Sequence, residues 1–162
     1  MIAGQRIPSL GSRGEGWVAF QLLLIAAAVA ACWWSGGSWV LPWPSVVGLV
    51  GNVLLIGGLL IVVVGALGLS SSFTVMPRPK ESGELVTTGL YRFVRNPIYA
   101  GLIAAMVGAS LGAGSGLALL LTAALAIVLD LKTRREEVFL RERFPGYAAY
   151  AARTRKFIPG LY

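Results

Sequence analysis

Residues 97–131 read PIYAGLIAAMVGASLGAGSGLALLLTAALAIVLDL, an apolar stretch interrupted once by the glycine-rich segment 112–116. Such a run predicts a helical hairpin with arms of about seventeen residues, near the minimum that crosses a hydrocarbon core of about 30 Å. Pro97 suits the first helical position, where a missing N–H costs nothing. Because neither Gly nor Pro lies between Leu117 and Phe144, the second helix is predicted to continue past the membrane surface.

Two further apolar runs precede the hairpin, and each is long enough for a transmembrane helix. Hydrophobic residues make up 56% of the chain and charged residues 13%, whereas soluble domains have about 25% charged residues. We therefore predict an all-α integral membrane protein with four transmembrane helices and a cytoplasmic C-terminal helical extension. Residues 1–162 would form a single membrane domain with spans at about 17–34, 45–69, 97–112 and 115–131.

The positive charges are confined to three parts of the chain. All 14 Lys and Arg residues lie in the N-terminal segment, in the stretch 78–95 or in the stretch 132–156. Because cytoplasmic segments retain Lys and Arg, both termini and the loop 70–96 are predicted to be cytoplasmic, in a multi-pass topology. The net charge of +7 fits contact with anionic lipid headgroups, and we expect membrane lipids as partners and no nucleic acid.

Small residues recur on the third predicted helix. Ala104, Gly108 and Gly112 follow one another at every fourth position, a pattern that lets helix backbones approach closely. The oligomeric state is left open by the sequence.

Residues 83–101 read GELVTTGLYRFVRNPIYAG and hold the first candidate binding residues. Asn96 is predicted to cap the helix that Pro97 begins. The N–H groups of a helix N-terminus, with the Arg95 guanidinium beside them, suit a carboxylate or a phosphate. The alternative is that Arg95 only sets topology and meets lipid headgroups.

Glu136 and Glu137 are a second candidate pair. Adjacent helical side chains point about 100° apart, so one carboxylate is expected to face inward while the other pairs outward. The alternative is an exposed helix in which Glu137 pairs with Arg141 and Glu136 faces water.

The order and spacing of these segments resemble the isoprenylcysteine carboxyl methyltransferase family and the related membrane phospholipid N-methyltransferases. The resemblance covers the chain from Gly83 onward and rests on residues 85–91, residues 95–99, the Glu136-Glu137 pair and the later Leu140, Phe144, Tyr147, Tyr150 and Pro159. It implies an S-adenosylmethionine-dependent methyltransferase whose cofactor region, about 76–101 and 132–162, lies at the cytoplasmic face. The implied acceptor is lipid-like, lipophilic or prenylated, such as an isoprenylcysteine carboxylate.

The resemblance also implies roles for individual residues. Catalytic roles fall to Arg95, Asn96 and Glu136, and no metal is expected. Cofactor contacts are implied for Leu85, Val86, Thr87, Gly89, Tyr91, Arg95, Asn96, Pro97, Tyr99, Gly101, Glu136 and Glu137. In the family a histidine usually follows the arginine, but Asn96 stands there and the chain has 0 His. Without an imidazole, an acceptor that needs no strong base, such as a thiol or a carboxylate, is favoured.

Two other functions fit a small bundle of apolar helices. A membrane reductase that uses NADPH would need a basic cluster for the pyrophosphate, which the glutamate pair would repel. A four-span small-molecule exporter would need an ionisable group at mid-membrane, and no predicted span has one there, since Asp130 lies at the end of the fourth.

Overall fold

The computed structural model describes residue 10 and residues 14–35, 45–69 and 85–162. Among the described residues the helices, in chain order, are α1 (Glu15–Trp34), α2 (Ser45–Leu69), α3 (Pro97–Ala113), α4 (Gly116–Arg143) and α5 (Tyr147–Arg153), with a 3-10 turn at Gly89–Arg92. Within those ranges the only β pairing is an isolated bridge between Val94 and Arg155. The prediction of an all-α protein is confirmed.

Within the described part of the chain, three helices, α1, α2 and α4, are long and apolar enough to cross a membrane, and α3 is a shorter apolar helix of 17 residues. The integral membrane character predicted from composition is consistent with these helices, while the count of four spans stays a prediction. The basic N-terminal segment, the turn 36–44 and the loop 70–84 lie outside the described residues.

The predicted hairpin is present, and its turn has a clear local cause. Gly114 follows α3 in the left-handed conformation, with φ 63°, which glycine adopts without strain. Ser115 then caps α4, because its Oγ accepts a hydrogen bond from the Ala118 N–H at 3.1 Å. The same hydroxyl lies 2.6 Å from the Ser35 Oγ, so the C-terminal end of α1 is joined to this turn. Consequently α1 and α4 run antiparallel.

The closest helix contact joins α2 and α3. A Cβ placed on Gly58 would lie 2.5 Å from the Ala105 backbone nitrogen and 2.5 Å from the Gly101 carbonyl oxygen. A Cβ on Gly108 would overlap the backbone of Leu55. The small-residue contact was therefore predicted correctly at Gly108. The contact also includes the predicted Gly112, whose backbone nitrogen would lie 2.7 Å from a Cβ on Gly51, and it extends to Gly101 and Ala105.

Two adjacent glycines of α2 provide a matched test of this contact. Gly57 has nothing within 4 Å of an added Cβ, so Gly57→Ala should stabilise the helix by about 0.5–1 kcal/mol. Gly58→Ala should instead destabilise the protein by about 1–3 kcal/mol, because the methyl group would force α2 and α3 apart. The measurement is unfolding of the detergent-solubilised variants, and equal effects at the two positions would contradict this packing.

A small core lies between α1, α3 and α4. Its fully packed members are Ala28, Met106, Leu125 and Leu129. At one end this core gives way to polar side chains, where Gln21 and Lys132 are buried. This polar end is also where α3 begins and the charged part of α4 lies.

Candidate functional site

The candidate site is formed where four parts of the chain meet. These are residues 85–96, the first turn of α3, residues 132–143 of α4, and the C-terminal segment from α5 to residue 162. As a result, the two candidate segments identified in the sequence are brought together at one end of the bundle.

Arg95 connects three of these parts. Its Nε donates to Glu137 Oε1 at 2.9 Å, and its Nη1 donates to the carbonyl oxygens of Ala151 at 3.0 Å and Thr154 at 2.5 Å. The side chains of Arg95 and Glu137 are each 13% exposed. This geometry does not agree with an arginine that only meets lipid headgroups. Arg95 ties α5 and the following residues to α4.

The backbone beside Arg95 holds the C-terminal segment as well. The N–H of Arg95 donates to the Arg155 carbonyl at 2.7 Å, and the N–H of Asn96 donates to the Lys156 carbonyl at 3.1 Å. The tail thus folds back over the residues that precede α3.

Asn96 stands at the N-cap position before Pro97, as predicted, but its side chain makes no capping hydrogen bond. Its ψ of 62° lies outside the extended region usual for a cap, and its Nδ2 instead donates to the Lys156 carbonyl at 3.5 Å. The predicted capping role of the Asn96 side chain is therefore wrong. The pairing of its backbone with the tail accounts for the difference.

Glu136 faces the interior from the same helix as Glu137. Tyr99 Oη donates to Glu136 Oε1 at 2.7 Å, and Lys132 Nζ lies 3.9 Å from the same oxygen. The glutamate side chain is 15% exposed. Burial raises the pKa of Glu136 from 4.5 to about 7, against the lowering effects of the Lys132 charge and the Tyr99 hydrogen bond. This carboxyl group lies beyond the apolar segment 116–131 and titrates near neutral pH.

The exposed-helix interpretation of the glutamates is wrong, and so is the expectation that only one faces inward. The two side chains do point in different directions, but other parts of the chain pack against α4 in both directions and cover both carboxylates. Glu136 meets α3 through Tyr99, whereas Glu137 meets Arg95 below the C-terminal segment. Each carboxylate therefore has its own partner.

Lys132 and Gln21 were missed by the sequence analysis. The Lys132 side chain is fully buried. Its Nζ donates to Gln21 Oε1 at 2.9 Å, and the same Nζ lies 5.0 Å from the centre of the Tyr99 ring. A signal was present in the sequence, because Gln21 is an isolated amide in the apolar run 17–34 and Lys132 precedes Glu136 by four residues.

The other predicted cofactor residues have mixed positions. Tyr91 is buried. Its hydroxyl donates to the Gly65 carbonyl at 3.3 Å, and its backbone carbonyl accepts from Tyr150 Oη at 2.7 Å. Gly101 lies in the α2 contact described above. Leu85 and Val86 are half-buried and Thr87 is exposed. Gly89 is exposed too, with φ 60°. The residues that the structure brings together are Arg95, Asn96, Pro97, Tyr99, Glu136 and Glu137.

A second ionic cluster fastens the tail to α4. Asp130 accepts hydrogen bonds from Arg134 Nε at 2.7 Å, Lys156 Nζ at 2.6 Å and Tyr162 Oη at 2.9 Å. The C-terminal segment is thus attached to α4 at two places, by Arg95 at one and by Asp130 at the other. Over the described ranges, no group of three or more His, Cys, Asp or Glu side chains is placed to hold a metal ion.

Comparison with known proteins gives a family match that includes most of this region. A family model described as phospholipid methyltransferase matches residues 46–146, which include α2, α3, α4 and the candidate residues from 85 to 137. The chain is also 39% identical over 85 residues to the nickel-cobalt-cadmium resistance protein NccN of Alcaligenes xylosoxydans xylosoxydans, covering 51% of this chain and 39% of that protein. It is 37% identical over 86 residues to the cobalt-zinc-cadmium resistance protein CzcN of Cupriavidus metallidurans, covering 51% of this chain and 38% of that protein. The matched segment spans less than two fifths of the length of each relative.

Proposed function

This chain belongs to the phospholipid methyltransferase family, and on that premise we propose that it transfers a methyl group from S-adenosylmethionine to a lipid-like or lipid-linked acceptor at the cytoplasmic face of a membrane. The observation that carries the proposal is the partly buried Glu136 carboxylate, held by Tyr99 beside the start of α3 and within the family match. When bound, S-adenosylmethionine supplies a methyl group on a positively charged sulfur.

The side chains at this site fit the charged groups of such a cofactor. Glu136 has the charge and the partial burial to attract the α-ammonium group. The start of α3, with Arg95 beside it, offers N–H donors and positive charge for the α-carboxylate. Arg95 acts chiefly through structure, because its Nε and Nη1 already hold Glu137 and the C-terminal segment. Val86 is half-buried and suits an apolar face of the adenine.

The remaining contribution of the protein is to orient the reactants and exclude water. Methyl transfer is an in-line displacement that disperses charge, so orienting the two reactants and keeping water away from them can supply much of the acceleration. Glu136 also alters the preference among acceptors. A carboxyl group with a pKa of about 7 can accept a proton near neutral pH, so the absence of histidine no longer disfavours an amine acceptor.

Nothing in the described residues supports carrying the metal-resistance names of the relatives over to this chain. The chain has 0 His, and the described residues contain no candidate metal cluster.

Calorimetric titration of the detergent-purified protein tests the proposed class. S-adenosylhomocysteine, the product form of the cofactor, should bind, and NADPH should not, because the glutamates repel a pyrophosphate. Binding of NADPH alone would favour the membrane reductase. If neither compound binds to folded protein, the enzyme proposals fail and the exporter becomes the leading alternative.

Cysteine labelling tests the proposed orientation. On a Cys32→Ser background, cysteines at Ser38 and Leu117 should react with an impermeant reagent from the same, non-cytoplasmic side, because both flank segments that lack Lys and Arg. Leu117 is a better reporter than the adjacent turn residue Ser115, since it is 52% exposed and Ser115 is fully buried. Labelling of the two positions from opposite sides would overturn the four-span topology.

A further inference from the structure

Gln21 is a buried amide that neither the family match nor the resemblance includes. It lies in α1, before the matched residues 46–146, and is 8% exposed. Its Oε1 accepts a hydrogen bond from Lys132 Nζ, which reaches it from α4 at 2.9 Å. An amide in an apolar helix is costly unless it is satisfied, so its contact with a buried charge suggests a role at the site.

Lys132 needs such an acceptor because its side chain is fully buried. Burial lowers the pKa of Lys132, and the nearby Glu136 charge acts in the opposite direction. Among the described residues, the groups that face its ammonium include the Gln21 oxygen from α1, the Tyr99 ring from α3 and the Glu136 carboxylate from α4. The groups that act on Glu136 are Lys132, Tyr99 and the neighbouring Glu137.

We propose that Gln21 is a positioning residue of the methyltransferase site: it holds the Lys132 ammonium so that Glu136 stays ionised and oriented beside Tyr99. This inference rests on the proposed function, because it assigns Gln21 to the same cofactor site. It also makes α1 a part of that site, although α1 lies outside the family match.

Loss of the Gln21 side-chain oxygen is expected to change the protonation of both Lys132 and Glu136. Without the Gln21 oxygen, the Lys132 ammonium loses a hydrogen-bond acceptor in apolar surroundings and releases its proton more readily. A neutral lysine no longer attracts the Glu136 carboxylate, so Glu136 binds a proton at a higher pH than before. A ligand ammonium group then meets a protonated acid over more of the neutral range.

The test is the affinity for S-adenosylhomocysteine across pH 5.5 to 8.5, with Gln21→Met as a variant of similar shape. At pH 7 the affinity should fall about tenfold, the scale expected from losing a hydrogen bond to a charged group, and the midpoint of the pH dependence should move upward. Ser35→Ala is the matched control, because it weakens the contact of α1 with Ser115 at the opposite end of the helix. It should leave both quantities unchanged.

A double-mutant cycle separates positioning from packing. In a Lys132→Met background, Gln21→Met should have little further effect, because the group that it holds is gone. Equal losses in both backgrounds, or an unchanged pH midpoint in Gln21→Met, would overturn the inference while leaving the cofactor site intact. If Gln21→Met does not fold, the upward shift is required of Lys132→Met alone, and its absence counts equally against the inference. Failure of the wild-type protein to bind S-adenosylhomocysteine would remove the proposed function, and this inference with it.

Discussion

Glu136→Gln should weaken binding of S-adenosylhomocysteine at pH 8 by about 2–5 kcal/mol, because it removes the carboxylate that faces the ligand ammonium in a partly buried site. Glu142→Gln is the matched control, since Glu142 lies on the same helix and is exposed. Both variants lose one negative charge, so a general effect of charge would be equal in the two. Equal affinities for wild type and Glu136→Gln would remove Glu136 from the cofactor site.

The wild-type affinity should also depend on pH in a defined direction. Below a pKa of about 7 the Glu136 carboxyl group is protonated and cannot attract a cation, so affinity should rise with pH through 7 and level off above about 8. In Glu136→Gln this rise should disappear. Calorimetric titrations over the same pH range measure both curves, and an unchanged rise in the variant would assign the titration to another group.

The same substitution should stabilise the protein in the absence of ligand. A carboxyl group whose pKa is raised on folding binds protons more tightly in the folded state, so stability is lost as pH rises from 4.5 towards 7. Glutamine mimics the neutral acid and avoids that loss, which is at most about 3 kcal/mol. The melting temperature of Glu136→Gln at pH 8 should therefore rise while its affinity falls. A fall in both would indicate a collapsed site.

Arg95→Met should destabilise the protein by about 3–5 kcal/mol and release the C-terminal segment, because it leaves the Glu137 carboxylate and two carbonyl groups without their partner. Arg95→Lys should be affected in the same direction but less, since it keeps the charge and loses the planar fork that reaches several acceptors. Cofactor binding should weaken in both variants while the membrane topology is retained.

Thermal unfolding and limited trypsin digestion measure the release. Cleavage near Arg155 and Lys156 should be faster in the Arg95 variants than in the wild type. Arg153→Met is the control, because Arg153 is exposed and does not join the tail to α4 in the contacts seen. Its Nε donates to the Ala149 carbonyl, one turn earlier in the same helix, at 3.3 Å. Unchanged digestion and melting of Arg95→Met would show that the tail is held without Arg95.

Much of the helical framework was predictable from contiguous residues. The apolar runs indicated the helices, Pro97 marked the first residue of α3, and the glycine-rich segment 112–116 marked the turn. The continuation of α4 to Arg143 followed from the absence of helix breakers. These features depend on residues within one or two helical turns, so the local sequence contains the information.

The partners of the site residues were decided by tertiary structure. Arg95 and Glu137 are 42 residues apart, and Gln21 and Lys132 are 111 residues apart. Which side chains meet over such separations depends on the rotation and spacing of the helices, and here the glycine contact sets how closely α2 and α3 approach. The sequence by itself determined the helices, the hairpin and the family pattern. Only the packing of α1, α3, α4 and the tail buried Glu136 beside Lys132 and moved its pKa to about 7, because burial and charge proximity exist only once the helices have assembled.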